Sequence, residues 1–97
     1  MKISKENIVK INNYFKDKPI IKAYLFGSQV RDEAKEESDI DILVELDYSQ
    51  RIGLLFVEMQ LELEEILQKK VDLVTTQGVS KYIKPIIEKE RELIYER

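Results

Sequence analysis

Residues 39–46 read Asp-Ile-Asp-Ile-Leu-Val-Glu-Leu, and no other stretch of the chain predicts a strand so clearly. Alternate side chains of an extended chain point to opposite faces, which places the three β-branched residues of this stretch on one face. Asp39, Asp41 and Leu43 fall on the other face. The pattern predicts a strand whose apolar face packs in a core, while its opposite face carries two acids at alternate positions.

Three elements are predicted before this strand in the chain. Residues 20–26 form an apolar run rich in β-forming residues that stops at a glycine, which predicts the first strand. Ser4 is a good helix cap with apolar residues behind it at helical spacing, so a helix should run to about Lys16. Between the two strands, Ser28 can cap a short helix over residues 29–35.

Downstream of the strand, a polar turn over residues 47–51 leads into an amphipathic pattern from about residue 52 to residue 69. Apolar residues recur there at helical spacing, which predicts a long helix that packs on the sheet. Residues 71–75 are short and rich in β-forming residues, and they predict a third strand.

The last part of the chain predicts one helix and a further strand. Pro85 suits the first turn of a helix that ends near Glu90, and residues 93–95 can extend after it. The charged run 88–92 is interpreted as a solvated helix end. The alternating order predicts a single layered α/β domain over residues 1–97, with a mixed (α+β) or parallel sheet of three to four strands and about four helices.

Composition narrows the chemistry that this domain can perform. The 97 residues carry a formal net charge of -3, so no global basic field favours long nucleic acid as a partner. The chain has no Cys and no His, so its chemistry must use carboxylates, hydroxyls, Lys and Arg. No apolar run reaches the roughly 20 residues of a membrane span, and the N-terminus lacks the apolar core of a signal peptide, so we expect a cytoplasmic protein with no membrane partner.

Asp39 and Asp41 are the first candidates for a functional site. Residues two apart on a strand project to the same side, roughly 7 Å apart, so their carboxylates can share a divalent cation. Without a cation, two like charges so near each other would repel, a cost that a structural strand has little reason to carry. The alternative is a solvent-exposed polar face near the start of the strand, because Asp-x-Asp is a short and common pattern.

Gly27 and Ser28 are the second candidates. A glycine directly after a strand allows close backbone approach, and a serine that begins a helix offers its hydroxyl and free amides to a phosphate. An ordinary strand-to-helix turn capped by Ser28 is the alternative. Ten residues separate Ser28 from Asp39, which is enough for a short helix and a return that brings both pairs to one sheet edge.

Together, Gly27-Ser28, ten intervening residues and Asp39-Ile40-Asp41 resemble the signature of the DNA polymerase beta-like nucleotidyltransferase superfamily. More narrowly, residues 26–31 and 38–44 resemble the minimal nucleotidyltransferases, small proteins that are commonly paired with a HEPN-domain toxin in toxin–antitoxin modules. The resemblance also implies a third acid on a later strand, which Asp72 matches, and a tail like residues 84–95.

The resemblance implies a site and a reaction. Asp39, Asp41 and Asp72 would hold Mg²⁺, as two ions, while Gly27, Ser28 and Arg31 would hold the phosphates of ATP. AMP would pass from ATP to a hydroxyl, most simply that of a tyrosine, on a HEPN-domain toxin that the chain silences as an antitoxin.

Two departures from the family pattern keep other functions open. Gln29 stands where family members often have Arg, and Asp32 stands where they often have Gly. Both changes make the site less positive, which favours the alternative of a noncatalytic antitoxin that neutralises its partner by binding. Nucleotide transfer to a small molecule such as an aminoglycoside is a third hypothesis, and it resembles larger relatives that carry an added helical domain.

Overall fold

The computed structural model describes residues 3–27 and 39–97. Within these two ranges the chain forms three helices and four strands. In chain order they are α1 (Lys5–Phe15), β1 (Ile20–Phe26), β2 (Ile40–Leu46), α2 (Leu55–Leu67), β3 (Val71–Thr75), α3 (Lys84–Glu90) and β4 (Glu92–Glu96). The short helix predicted for residues 29–35 lies outside the described residues.

The predicted boundaries agree closely with the structure where local sequence signals are strong. Ser4 caps α1 as predicted, since its hydroxyl accepts a hydrogen bond from the Asn7 amide at 3.1 Å. β1 and β3 have their predicted bounds, and β2 begins one residue later than predicted. α2 is shorter than the predicted range of 52–69, because a turn precedes Leu55 and the helix ends at Gln68 in the left-handed conformation.

The four strands form one mixed sheet in the order β3-β2-β1-β4. β2 and β3 run parallel, whereas β1 pairs antiparallel with both β2 and β4. A mixed α+β sheet was one of the two arrangements that the sequence predicted, and the structure has it. β2 lies between β1 and β3, and the C-terminal end of β1 meets the same edge of the sheet as the N-terminal ends of β2 and β3.

One face of the sheet packs against α1 and α2 to form the main core. The side chains that meet there are almost fully buried, and they come from both helices and from all four strands. The largest of them are Phe15, Ile11, Ile20, Leu25, Ile40, Ile42, Met59 and Leu63. Asn12 joins α1 to β4 as well, because its side-chain amide donates to the carbonyl of Ile94 at 2.8 Å.

The opposite face of the sheet carries the predicted acids, but it is not uniformly polar. Leu43 lies on this face and is only 3% exposed. Ile87 of α3 is also buried, and both side chains line a small pocket beneath that helix. α3 therefore covers part of this face. None of the helices in the two described ranges is long and apolar enough to cross a membrane.

Candidate active site

The site begins where β1 ends against β2. Gly27 follows β1 with a φ of +74°, a conformation that glycine adopts readily and other residues rarely do. A Cβ atom at this position would collide with the Oδ2 atom of Asp41 and would stand 3.2 Å from its Cγ atom. The absent side chain is therefore what allows the backbone at residue 27 to lie against the Asp41 carboxylate.

Asp41 and Asp72 are direct neighbours on parallel strands. They are paired in the register of β2 and β3, so both side chains leave the same face of the sheet on strands about 4.8 Å apart. Asp41 is half-buried and Asp72 is exposed. Asp39 lies one residue before β2 and is exposed too. The three predicted acids thus lie at the same end of two neighbouring strands.

A cleft opens on this face of the sheet beside Asp72. It has a volume of about 260 Å³ and runs between the ends of β1 and β3 and the segment that leads into α3. Its walls are mainly apolar, and Asp72 and Ser80 are among its polar lining residues. The lining residues are Phe26, Asp72, Val74, Gly78, Val79, Ser80, Ile83 and Ile87.

The remaining sequence-predicted contacts cannot be placed in this geometry. Ser28 and Arg31, the predicted phosphate ligands, lie outside the described residues, as do the two departures from the family pattern, Gln29 and Asp32. Gly27 is the one predicted phosphate-binding residue that falls within residues 3–27 and 39–97. The roles of Ser28 and Arg31, and the effects of Gln29 and Asp32, therefore stay predictions.

The model of the family described as "Polymerase beta, Nucleotidyltransferase" matches residues 9–97, which include this whole sheet edge. The chain belongs to this nucleotidyltransferase family. The resemblance inferred from Gly27-Ser28 and Asp39-Ile40-Asp41 is thereby confirmed at the level of the family.

Relatives of this nucleotidyltransferase match it over most of its length. A protein of Methanocaldococcus jannaschii, named as a candidate protein adenylyltransferase, is 42% identical over 94 residues, which are 94% of this chain and 92% of the relative. The protein adenylyltransferase MntA of Thermococcus cleftensis is 43% identical over 72 residues, covering 73% of this chain and 69% of the relative.

The nucleotidyltransferase also shares its fold with solved structures. One is the tri-AMPylated HEPN toxin of Shewanella oneidensis in complex with an MNT antitoxin. The matched chain aligns with a TM-score of 0.74 and 23% identity, and the alignment covers 98% of this chain and 74% of that one. At this identity the match establishes the nucleotidyltransferase fold.

The carboxylates of this nucleotidyltransferase suit a Mg²⁺ ion that is also bound by substrate phosphates and water. In the described part of the chain, no three acidic side chains come close enough together to form a complete metal site. Mg²⁺ commonly binds through one or two protein carboxylates, with substrate phosphates and water as its other ligands. Asp41 and Asp72, which are paired on neighbouring strands beside the Gly27 backbone, fit that kind of ligand set.

The structure adds one site residue that the sequence did not suggest. Glu90, at the end of α3, accepts a hydrogen bond from the Gly27 amide at 3.1 Å through its Oε1 atom. The interpretation of the charged run 88–92 as a solvated helix end is therefore wrong for Glu90, which is half-buried. Nothing local distinguishes it from its charged neighbours, because the contact joins residues 63 positions apart.

Proposed function

We propose that this nucleotidyltransferase transfers AMP from ATP to a tyrosine hydroxyl of a HEPN-domain toxin, and that it acts as the antitoxin of that toxin. The observation that carries the proposal is the pairing of Asp41 with Asp72 beside the Gly27 backbone. The names of the two relatives support protein as the acceptor and AMP as the transferred group.

The chain's own groups divide between phosphate binding and metal binding. Gly27, with Ser28 and Arg31 beyond it, would hold the β- and γ-phosphates at the end of β1. Asp39, Asp41 and Asp72 would hold Mg²⁺ as two ions. When bound, Mg²⁺ would neutralise the phosphates and the charge that develops on the leaving pyrophosphate.

The acceptor hydroxyl would react next to Asp72. Its oxygen forms a bond to the α-phosphorus of ATP as the bond from that phosphorus to the bridging oxygen breaks, and pyrophosphate leaves with that oxygen. The hydroxyl proton passes to the Asp72 carboxylate and then to water. A carboxylate is the natural base here, because the chain contains no His. The products are the AMP–tyrosine phosphodiester, pyrophosphate and a proton.

The proposed partner is a HEPN-domain toxin. The solved structure that shares this fold contains an AMPylated HEPN toxin together with an MNT antitoxin, which supports a protein acceptor of that kind. AMP on a tyrosine adds a bulky anionic group, and we expect it to silence the ribonuclease activity of the toxin.

The test is to incubate the purified chain with the product of its neighbouring gene, Mg²⁺ and each labelled NTP in turn. Intact-mass spectrometry should show AMP added to the partner, and peptide mapping should locate it on a tyrosine. Asp41→Asn and Asp72→Asn should each abolish the addition. Asp17→Asn is the matched control, because Asp17 is an exposed acid paired with Lys18 away from this sheet edge.

A noncatalytic antitoxin is the second candidate, and the contact between Glu90 and Gly27 favours it. A carboxylate occupies the Gly27 amide that a phosphate would otherwise use. In that case the partner would form a stable complex with the chain and would acquire no AMP. The Asp41→Asn variant would still neutralise the partner. Toxicity restored by Asp41→Asn would instead rule this candidate out.

A further inference from the structure

We propose that the cleft beside Asp72 binds the phenol ring of the acceptor tyrosine, with the tyrosine hydroxyl directed at the Asp72 carboxylate. This inference rests on the proposed function, and it assigns to that function a binding site for the acceptor. The cleft is the 260 Å³ space between Phe26, Val74 and the segment that leads into α3.

The size and the lining of the cleft suit one aromatic side chain. Pockets that enclose drug-sized ligands have volumes of about 300–1,000 Å³. The smaller volume of this cleft matches a single aromatic side chain better than a whole nucleotide. Phe26, Val74 and Ile83 offer apolar contact to the faces of a ring. At one side Asp72 offers carboxylate oxygens, which accept the single hydrogen bond that a phenol hydroxyl donates.

The position of the cleft favours the acceptor over the adenine base. In phosphoryl transfer the attacking and leaving oxygens lie roughly in line on opposite sides of phosphorus. Asp72 lines the cleft, whereas Gly27 and Asp41 lie next to lining residues without lining it themselves. If the pyrophosphate leaves on the side of Gly27, the acceptor must enter from the side of Asp72.

The rim of the cleft has the character of a surface that meets another protein. Ile83 lines the cleft and is 51% exposed, and its neighbour Tyr82 is 78% exposed. Ile86, in the first turn of α3, is also exposed. Exposed aromatic and aliphatic side chains beside a pocket are typical of a protein-binding surface, which a tyrosine carried by a partner chain requires.

The first test measures binding without catalysis. N-acetyl-L-tyrosinamide, used as the probe, is titrated into the chain labelled at its isoleucine methyl groups and followed by NMR. The Ile83 and Ile87 signals should shift saturably, while the Ile86 signal stays in place. An absence of shifts would overturn the proposal. It would also be overturned if ATP alone shifted the same signals and the probe did not, because the cleft would then hold the base.

Two matched variants test the same site. Ile83→Trp fills the cleft from the N-cap position of α3, whereas Ile86→Trp adds the same ring three residues later, within α3 and outside the cleft. Ile83→Trp should weaken binding of the probe by about tenfold or more, and Ile86→Trp should leave it unchanged. Equal effects of the two substitutions would contradict the proposal.

Kinetics with the partner protein separate this inference from the proposed function. Ile83→Trp should raise the KM for the partner about tenfold while the KM for ATP stays constant. If the wild type is active and Ile83→Trp has the same KM for the partner as the wild type, the proposed acceptor site is overturned and the proposed function is not. If the wild-type chain transfers no AMP to a tyrosine, the proposed function fails, and the NMR titration still decides whether the cleft binds a phenol.

Discussion

The backbone of Gly27 lies directly against the carboxylate of Asp41, and this carboxylate occupies the space that a side chain at residue 27 would fill. This contact joins the end of one strand to the start of its antiparallel neighbour, where Phe26 and Asp41 are register partners. It explains why a glycine directly follows the first strand. It also sets how near a phosphate held at the strand end could come to the acidic residues.

Gly27→Ala should inactivate the enzyme. The added Cβ must displace the Asp41 carboxylate, and a misplacement of about 1 Å near the reacting atoms can cost on the order of 100-fold in rate. Transfer of AMP to the partner measures the loss. Gly53→Ala is the matched control, because Gly53 also has a positive φ, of 44°, but has nothing within 4 Å of its added Cβ. The positive φ alone should cost each variant about 1–2 kcal/mol of stability, and Gly27→Ala should lose more because of the contact with Asp41. Similar transfer of AMP by the two variants would contradict the role of the contact.

Asp72→Asn should not destabilise the chain in the absence of divalent cations. Acids directly opposite each other on neighbouring strands repel, so removal of one charge should be neutral or stabilising by roughly 0.2–1 kcal/mol. Thermal unfolding in EDTA measures this. Addition of Mg²⁺ should then raise the Tm of wild type more than that of Asp72→Asn. An equal rise in both proteins would argue against Asp72 as a ligand.

Asp47→Asn should destabilise the chain at neutral pH but not in acid. Hydrogen bonds from Arg97 and Ser49 lower the pKa of Asp47, and the Arg97 contact is 2.8 Å. Because the folded pKa lies below the unfolded one, the stabilisation is present above about pH 4 and is lost as the pH falls below that value.

The Tm of wild type and Asp47→Asn, measured from pH 7 to pH 2, should therefore converge in acid. Glu96→Gln is a control, since its ion pair with Lys22 is longer, at 3.6 Å, and exposed at both side chains. We expect that control to change the Tm little at any pH. A constant difference between wild type and Asp47→Asn across the pH range would contradict this account.

Asn12→Ala should weaken the attachment of the last strand. The Asn12 side-chain amide donates to the carbonyls of Ile8 and Ile94, at 2.9 and 2.8 Å, and so joins the first helix to β4. Loss of the bond to Ile94 should cost about 1–2 kcal/mol in the free energy of unfolding, measured with urea. Asn13→Ala makes the same substitution at an exposed neighbouring position, and it should change stability by less than about 0.5 kcal/mol. Equal losses would show that the bond to Ile94 contributes nothing.

The sequence predicted the elements well because the signals for them are local. The strand bounds 20–26 and 71–75 follow from short apolar runs with clear breaks, and the Ser4 cap follows from a single side chain. The family follows from a short motif with a specific spacing, and the family model that matches residues 9–97 confirms it. Helix ends are weaker signals, which is why the long helix is shorter than predicted.

Only the tertiary structure decided which residues far apart in the sequence meet at the site. The parallel pairing of β2 with β3 sets Asp72 opposite Asp41, although Asp72 is an unremarkable acid in the sequence by itself. The packing of α3 on the sheet buries Leu43 and brings Glu90 to the Gly27 amide. Ile87 of α3 also lines the cleft. Residue patterns report the local conformation of a chain, whereas contacts between residues far apart in sequence depend on strand order and on packing.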